Sequence, residues 1–315
     1  MKRLFSFLMC LCMLLCFCSC DADVFDELSQ VTTIEESPVE DFTYEMHDGE
    51  ITITGYIGTD RKIRIPSKIN ERPVTTIGET AFLKYDMTYI YIPETIKTIE
   101  EAAFYNCVCL EEVFFTNGLE IIREKAFAGC EKLQECKLPE SLTLLESFAF
   151  SDCTSLKSVS FSKNLKKISS YAFSDCTALV KIIFAEGLEG IYHDAFSDCT
   201  SLVEVTLPES LQFLENDAFA NCEYLRKLTI PKNTRLEIKF EEMHVNSYGI
   251  DAMLYSISSP VGYQSWYGGN LIGVAPGHPT TPTPFSTILI VYKDSFAHTQ
   301  LMSVEKYGCL QFEVH

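Results

Sequence analysis

A repeat solenoid is the fold class this chain predicts, on three observations. The phrase Ala-Phe-x-x-Cys recurs with a constant step of 23 residues, at Phe104/Cys107, Phe127/Cys130, Phe150/Cys153, Phe173/Cys176, Phe196/Cys199 and Phe219/Cys222. Apolar residues between copies keep fixed offsets, as in Leu156, Val159, Phe161, Leu165 and Ile168 after Phe150. The composition, 47% hydrophobic and 22% charged, has too much apolar content for a disordered chain. Units phased in this way bury their apolar sides only against one another, so the array grows along one axis and offers an extended face to solvent. That geometry points toward binding and away from a catalytic pocket.

The N-terminus reads as an export signal: Lys2 and Arg3, an apolar stretch from Leu4 to Phe17, then Ser19 before Cys20. Its apolar run is too short for a membrane span. Residues 1–19 are assigned to this signal and 20–42 to an acidic tether, because Asp21 to Asp41 holds eight acids and no Lys or Arg. The segment Phe17-Cys18-Ser19-Cys20 resembles the lipobox of bacterial lipoproteins, with Phe17 where Leu is usual and Cys18 where Ser, Ala or Thr is usual. The resemblance implies cleavage before Cys20, lipidation of its thiol, and a protein anchored at the membrane facing outward. Ordinary secretion is the alternative.

Residues 43–80 read as an N-terminal cap with a first partial repeat. Tyr44 to Met46 and Ile51 to Tyr56 alternate as strands around His47-Asp48-Gly49, a hairpin-turn signal. A cap is needed because the first repeat would otherwise expose an apolar flank and a backbone edge. Repeats of 23 residues occupy 81–232, with Ala81-Phe82 one residue out of step. Within each, the spacing of two (Val159, Phe161) predicts a short strand, and the later spacing of three (Leu165, Ile168) predicts a turn or 3₁₀ segment. Prolines at 93, 139, 208 and 231 follow the strands and turn the chain. After Asn233 the period is lost, and 233–315 reads as an α+β C-terminal cap: a strand at Ile288 to Tyr292, a short helix near Phe296 to Lys306, and a last strand about Leu310 to Val314, like a degenerate final repeat.

The string Leu-x-x-Val-x-Leu-Pro-x-x-Leu-x-x-Ile followed by Ala-Phe-x-x-Cys resembles the BspA-like class of leucine-rich repeats, common in bacterial surface proteins, over about residues 63 to 231. Tyr85 in place of the first Cys, and Cys136 in place of a strand aliphatic, depart from the pattern without breaking its phase. The resemblance implies a right-handed solenoid with short parallel strands on its concave face. It also implies cell-surface adhesion or protein binding.

Net charge is −19; without the first nineteen residues, 23 bases face 44 acids, or −21. Nucleic acid is excluded as a partner, since no basic stripe exists to release its counterions. No His-Glu-x-x-His spacing and no Gly-x-Ser-x-Gly elbow occurs, so the chain reads as a non-enzyme without cofactor or metal. The recurring Phe residues predict a stacked aromatic spine at roughly the 4.8 Å strand spacing. The phased cysteines read as inert packing, because metal clusters use close pairs and these are one repeat apart. Asp152, Asp175 and Asp198 share one position with Asn106, Gly129 and Asn221, a set suited to turn capping or left-handed backbone rather than to calcium, which needs more than one carboxylate per repeat.

Outward strand positions are the candidate binding face: Glu111, Glu112, Phe114, Lys137, Lys157, Ser160, Val180, Lys181, Ile183, Val203, Glu204, Arg226 and Lys227. Apolar Phe114, Val180, Ile183 and Val203, rimmed by charge, point to a protein contact made by a monomer, a host or matrix component being the candidate partner. The competing reading is that these residues face water or a flanking loop. A second functional reading is carbohydrate binding on Tyr263, Trp266 and Tyr267. A third is a structural spacer in a cell-envelope assembly.

Overall fold

The computed structural model describes residues 35–215, 217–237 and the short strands Trp266–Tyr267, Asn270–Leu271, Ile288–Val291 and Gln311–Val314. The chain divides between Glu36 and Ser37, and the fold below is that of the second part. The export signal, Cys20, the start of the tether, Cys309 and the helix expected at 296–306 lie outside the described residues. Among the described residues no helix is long and apolar enough to cross a membrane.

About eight coils stack through three hydrogen-bonded seams. The first is the expected parallel ladder: Lys62–Arg64, Tyr89–Ile92, Glu112–Phe115, Glu135–Lys137, Ser158–Ser160, Lys181–Ile183, Glu204–Thr206 and Lys227–Thr229. Its register keeps the repeat step, with Glu135 opposite Ser158 and Ser158 opposite Lys181. Ile63, Ile90, Cys136, Val159, Val205 and Leu228 at mid-strand turn inward and are buried, because alternate side chains of a strand face opposite sides.

The second seam differs from the sequence reading. Where the spacing of three predicts a turn or 3₁₀ crossing, Thr98–Ile99, Ile121–Ile122, Leu144–Leu145, Lys167–Ile168, Gly190–Ile191, Phe213–Glu215 and Arg235–Glu237 form another set of parallel rungs. Most are only two residues long, so each shows one buried aliphatic and no alternation for a sequence pattern to reveal.

The third seam is the Ala-Phe turn itself. Two left-handed residues bracket it, Ala102 and Asn106 at φ 53° and 57°, Phe148 and Asp152 at 60° and 57°, Tyr171 and Asp175 at 58° and 59°. Between them the chain makes consecutive tight turns, which aim the Phe amide along the stack. Phe104 N–H donates to Ala126 O at 2.7 Å, and Phe127, Phe150 and Phe173 donate to Ala149, Ala172 and Ala195 at 2.8 Å. Residues such as Asp152, Asp175 and Asn106 thus supply left-handed backbone, which short polar side chains and Gly tolerate best.

Inside the seams the seven phenylalanines form one column. Ring centroids from Phe82 to Phe219 are 4.8 to 5.5 Å apart and nearly parallel, and every ring is buried. Beside it runs a column of unpaired thiols. Each Sγ–H donates to the carbonyl of the Phe one coil back: Cys107 to Phe82 at 3.0 Å, Cys153 to Phe127 at 3.4 Å, Cys199 to Phe173 at 3.2 Å. A thiol is small enough for the site and weak enough as a donor to be buried with one acceptor. In the first repeat Tyr85 takes the thiol's place, and its hydroxyl reaches out to donate to Gly58 O at 2.8 Å.

At the N-terminal end Phe42–His47 and Glu50–Tyr56 pair antiparallel around Asp48-Gly49, both at positive φ. Glu50–Tyr56 then runs parallel to Arg72–Ile77 on the second seam, and the Tyr56 ring stacks on Phe82 with centroids 6.0 Å apart. The structured cap reaches back to Ser37, inside the stretch read as tether: Ser37 N–H donates to Arg64 O and Arg64 N–H to Ser37 Oγ, covering the edge of the first ladder. At the other end Ile288–Val291 joins Lys227–Thr229 in parallel, and Gln311–Val314 joins Ile288–Val291. Ile288 lies opposite Gln311, so the step of 23 returns after the break.

Replacing Phe173 with Ala, which empties a place between rings 5.3 and 5.5 Å away, is expected to cost about 3–5 kcal/mol in a urea unfolding experiment. An unchanged midpoint would show that the ring does not hold the column.

Burial pushes the Cys107 thiol up to about 12, and those of Cys130, Cys153 and Cys199 well above the usual 9.0. Above pH 9.0 the unfolded chain therefore releases thiol protons that the folded chain keeps. Stability is fully expressed below that pH and falls above it, by up to about 1.4 kcal/mol per pH unit for each such thiol. Urea midpoints on either side of pH 9 check this, and a flat profile would mean that the thiols are not sealed.

Candidate functional site

The outward side of the first ladder gathers the sequence-predicted residues on neighbouring coils, with Glu135–Lys137 to Lys181–Ile183 paired as one sheet and Glu204–Thr206 with Lys227–Thr229 in the next. Glu111, Glu112, Lys137, Lys157, Val180, Lys181, Ile183, Val203 and Glu204 are exposed, while Phe114, Ser160, Arg226 and Lys227 are half-buried. The coils of Glu111, Gln134 and Lys157 are joined directly, because Gln134 N–H donates to Glu111 O, and Lys157 N–H to Gln134 O. Side chains at equivalent positions then repeat at the strand spacing, close enough to act together.

Three zones follow along the face. Near the N-terminal end the Arg64 guanidinium sits 4.3 Å over the Tyr91 ring, and Tyr91 stacks on Phe114 with centroids 5.3 Å apart, so Phe114 is engaged within the chain as well as facing out. In the middle Glu111, Lys132, Gln134, Thr154, Ser155, Lys157 and Ala178 line a shallow depression of about 430 Å³. There Lys157 Nζ donates to Gln134 Oε1 at 3.3 Å. Toward the C-terminal end lie Val180, Ile183 and Val203, exposed to 55%, 47% and 47%. Lys181 and Glu204 flank them, and Arg226 stands 6.0 Å from the Tyr224 ring.

The aspartate column lies apart from this face, at the Ala-Phe turns. Burial first, and the neighbouring aspartates next, raise the Asp175 carboxyl above its ordinary value. Burial also raises that of Asp198, with the Asn221 amide working against it. Three coils offer one carboxylate each there, from Asp152, Asp175 and Asp198, a poor calcium cage. Of the proposed sugar platform, Trp266–Tyr267 forms a short strand antiparallel to Asn270–Leu271, while Tyr263 and what these rings face lie outside the described residues.

A cluster the sequence does not announce stands on the turn side of the later coils. His193, Glu215 and Asp217 each bring one ligand-type atom within 4.8 Å of the others. Lys125, Phe148 and Tyr171 lead up to it as a column, with the Phe148 and Tyr171 rings stacked 4.6 Å apart. Burial, followed by Asp194, raises the Tyr171 hydroxyl to about 12. Spacings of 22 and 24 residues from His193 have no motif, and only the knowledge that coils stack every 23 residues could have joined them.

Fold and face together define a parallel β-solenoid of leucine-rich repeats that presents a strand platform. The family model for the BspA type leucine rich repeat region matches in six copies, over residues 75–200 and 167–247, and the chain belongs to that family. The family is one of repeat modules, and nothing in it indicates a catalytic activity. Among solved structures the chain is similar to a leucine-rich repeat protein of T. pallidum, at 27% identity and a TM-score of 0.52 over 64% of this chain and 86% of that one. It also matches a leucine-rich repeat protein of Eubacterium ventriosum (25% identity, TM-score 0.47, 64% of this chain and 50% of that one). A further match is a leucine-rich cell surface protein of Faecalibacterium prausnitzii (20% identity, TM-score 0.32, 64% and 90%). No curated protein sequence matches the chain.

Proposed function

We propose that this is a non-enzymatic binding protein of the bacterial cell surface whose strand platform recognises another protein. The observation that carries the reading is the set of apolar residues Val180, Ile183 and Val203, about half exposed on neighbouring coils and rimmed by Lys157, Lys181 and Glu204. Core-like side chains held in water at fixed spacing, with charge around them, have the anatomy of a protein contact. Because the ladder is already ordered, a partner meeting it costs little conformational entropy. The export signal and the lipobox-like segment support an outward-facing location with Cys20 as the lipid-bearing residue.

Purified protein used to capture partners from its native surroundings tests the platform. The Val180→Asp, Val203→Asp double variant should lose capture by at least about tenfold, as expected when hot-spot contacts are removed, while unfolding at the wild-type urea midpoint. Charge reversal at Lys157, Lys181 and Lys227 should weaken capture further at low salt. Undiminished capture by all these variants would defeat the reading, and a glycan-array signal abolished by Trp266→Ala would replace it with sugar binding.

Anchoring is tested separately. Cys20→Ser should move the protein from the membrane fraction to the medium, and retention at the membrane would rule lipidation out.

A further inference from the structure

In a chain with 44 acids and 25 bases, cations have no shortage of partners. On the second ladder several are neutralised by glutamates exactly one repeat away: Lys97 by Glu120 at 3.4 Å, Arg123 by Glu100 and Glu146 at 3.0 Å each, and Lys166 by Glu189 at 3.2 Å. The shallow depression of the first ladder, about 430 Å³ in volume, is different. Lys132 and Lys157 both line it, and neither enters an ion pair among the described residues. Lys157 Nζ donates only to the neutral Gln134 Oε1, at 3.3 Å. Asp86 feels the Lys132 charge, yet its carboxylate is taken by Arg61 at 2.9 Å and by the Cys109 thiol. Glu111, on the far side of the depression, pairs with neither lysine.

Backbone bonds fix what stands beside these charges. Gln134 N–H donates to Glu111 O at 3.3 Å, Lys157 N–H to Gln134 O at 2.8 Å, and Val180 N–H to Lys157 O at 3.0 Å. Along the solenoid axis the side chains therefore read acid, amide, base, apolar, and Val203 on the following coil is apolar again. Coils repeat at about 4.8 Å, so the midpoint between Val180 and Val203 lies about 7 Å beyond Lys157. Alternate side chains of an extended peptide are spaced by nearly the same distance, about 6.6 Å.

We infer that the depression takes an aspartate or glutamate side chain of a protein partner, held by Lys132 and Lys157, while an apolar residue two positions along the same extended segment rests on Val180 and Val203. The inference depends on the strand platform being a protein-binding surface and names the segment it reads. The Ser155 hydroxyl, which makes no hydrogen bond among the described residues, offers the carboxylate a further donor. Glu111 sets the register, since an acid displaced toward it meets like charge. Repulsion also separates a single acid from a polyanion: exposed Glu111, Glu112 and Glu135 along the same face oppose a chain of repeated negative charge.

Selection of a displayed random peptide library on the purified protein tests this. Enriched sequences should carry Asp or Glu two positions from Leu, Ile, Val or Phe. A selected peptide should bind the Lys132→Gln, Lys157→Gln double variant about tenfold more weakly, the effect of two lost charge contacts, and its affinity for the wild-type protein should fall as salt rises. Both lysines are exposed, so the variant should keep the wild-type urea midpoint. If it does not, exchanging the peptide's own acid for its amide carries the same test on the wild-type protein. A selection without acidic peptides, or acidic peptides indifferent to the lysines, overturns the inference. Peptides lost with Val180→Asp, Val203→Asp but not with the lysine variant overturn it while leaving the platform reading in place. Lysine-dependent binding of heparin, with no acidic peptide selected, assigns the depression to an acidic polysaccharide and overturns it as well.

Discussion

No coil of this protein can satisfy itself. Its Phe ring stacks on the rings above and below, its Phe amide donates to the next Ala, and its thiol donates to the previous Phe. Hydrophobic burial, backbone pairing and thiol placement all run along the same axis with the same step, so any one of them fixes the register of the other two. The cap chemistry is a direct consequence. Tyr56 closes the ring column, Ser37 covers the first-ladder edge, and the Tyr85 hydroxyl holds the Gly58 loop where a thiol would have been lost inside.

What was legible in the sequence is what depends on side-chain type. Phe150, Cys153 and Val159 each have a role that few other residues fill, so their recurrence exposes the spine, the thiol column and the first ladder. The Asp152, Asp175 and Asn106 position was readable as special backbone for the same reason. Its companion was not: Ala102, Lys125, Phe148 and Tyr171 hold positive φ although nothing in their chemistry favours it. Coil-to-coil amide bonds hold them there, as Phe148 N–H does on Ser170 O, and such tertiary override leaves no trace in local propensity. The second ladder escaped because rungs of two residues carry no alternation.

The candidate face was legible as a set of positions, since outward residues follow from the strand phase. Their individual character was not. Sequence spacing could not tell that Phe114 leans on Tyr91 while Val180 stands in water, because that depends on which neighbour one coil away is large. The His193 group was hidden more deeply, as its members are ordinary residues made adjacent only by stacking.

The direct pairing of Lys227–Thr229 with Ile288–Val291 shows what holds the coils in step. Two strands far apart in the chain thus meet as next-door rungs, and the same step of 23 reappears between Ile288 and Gln311, so the scaffold's register is carried by strand pairing rather than by unbroken repetition of the sequence.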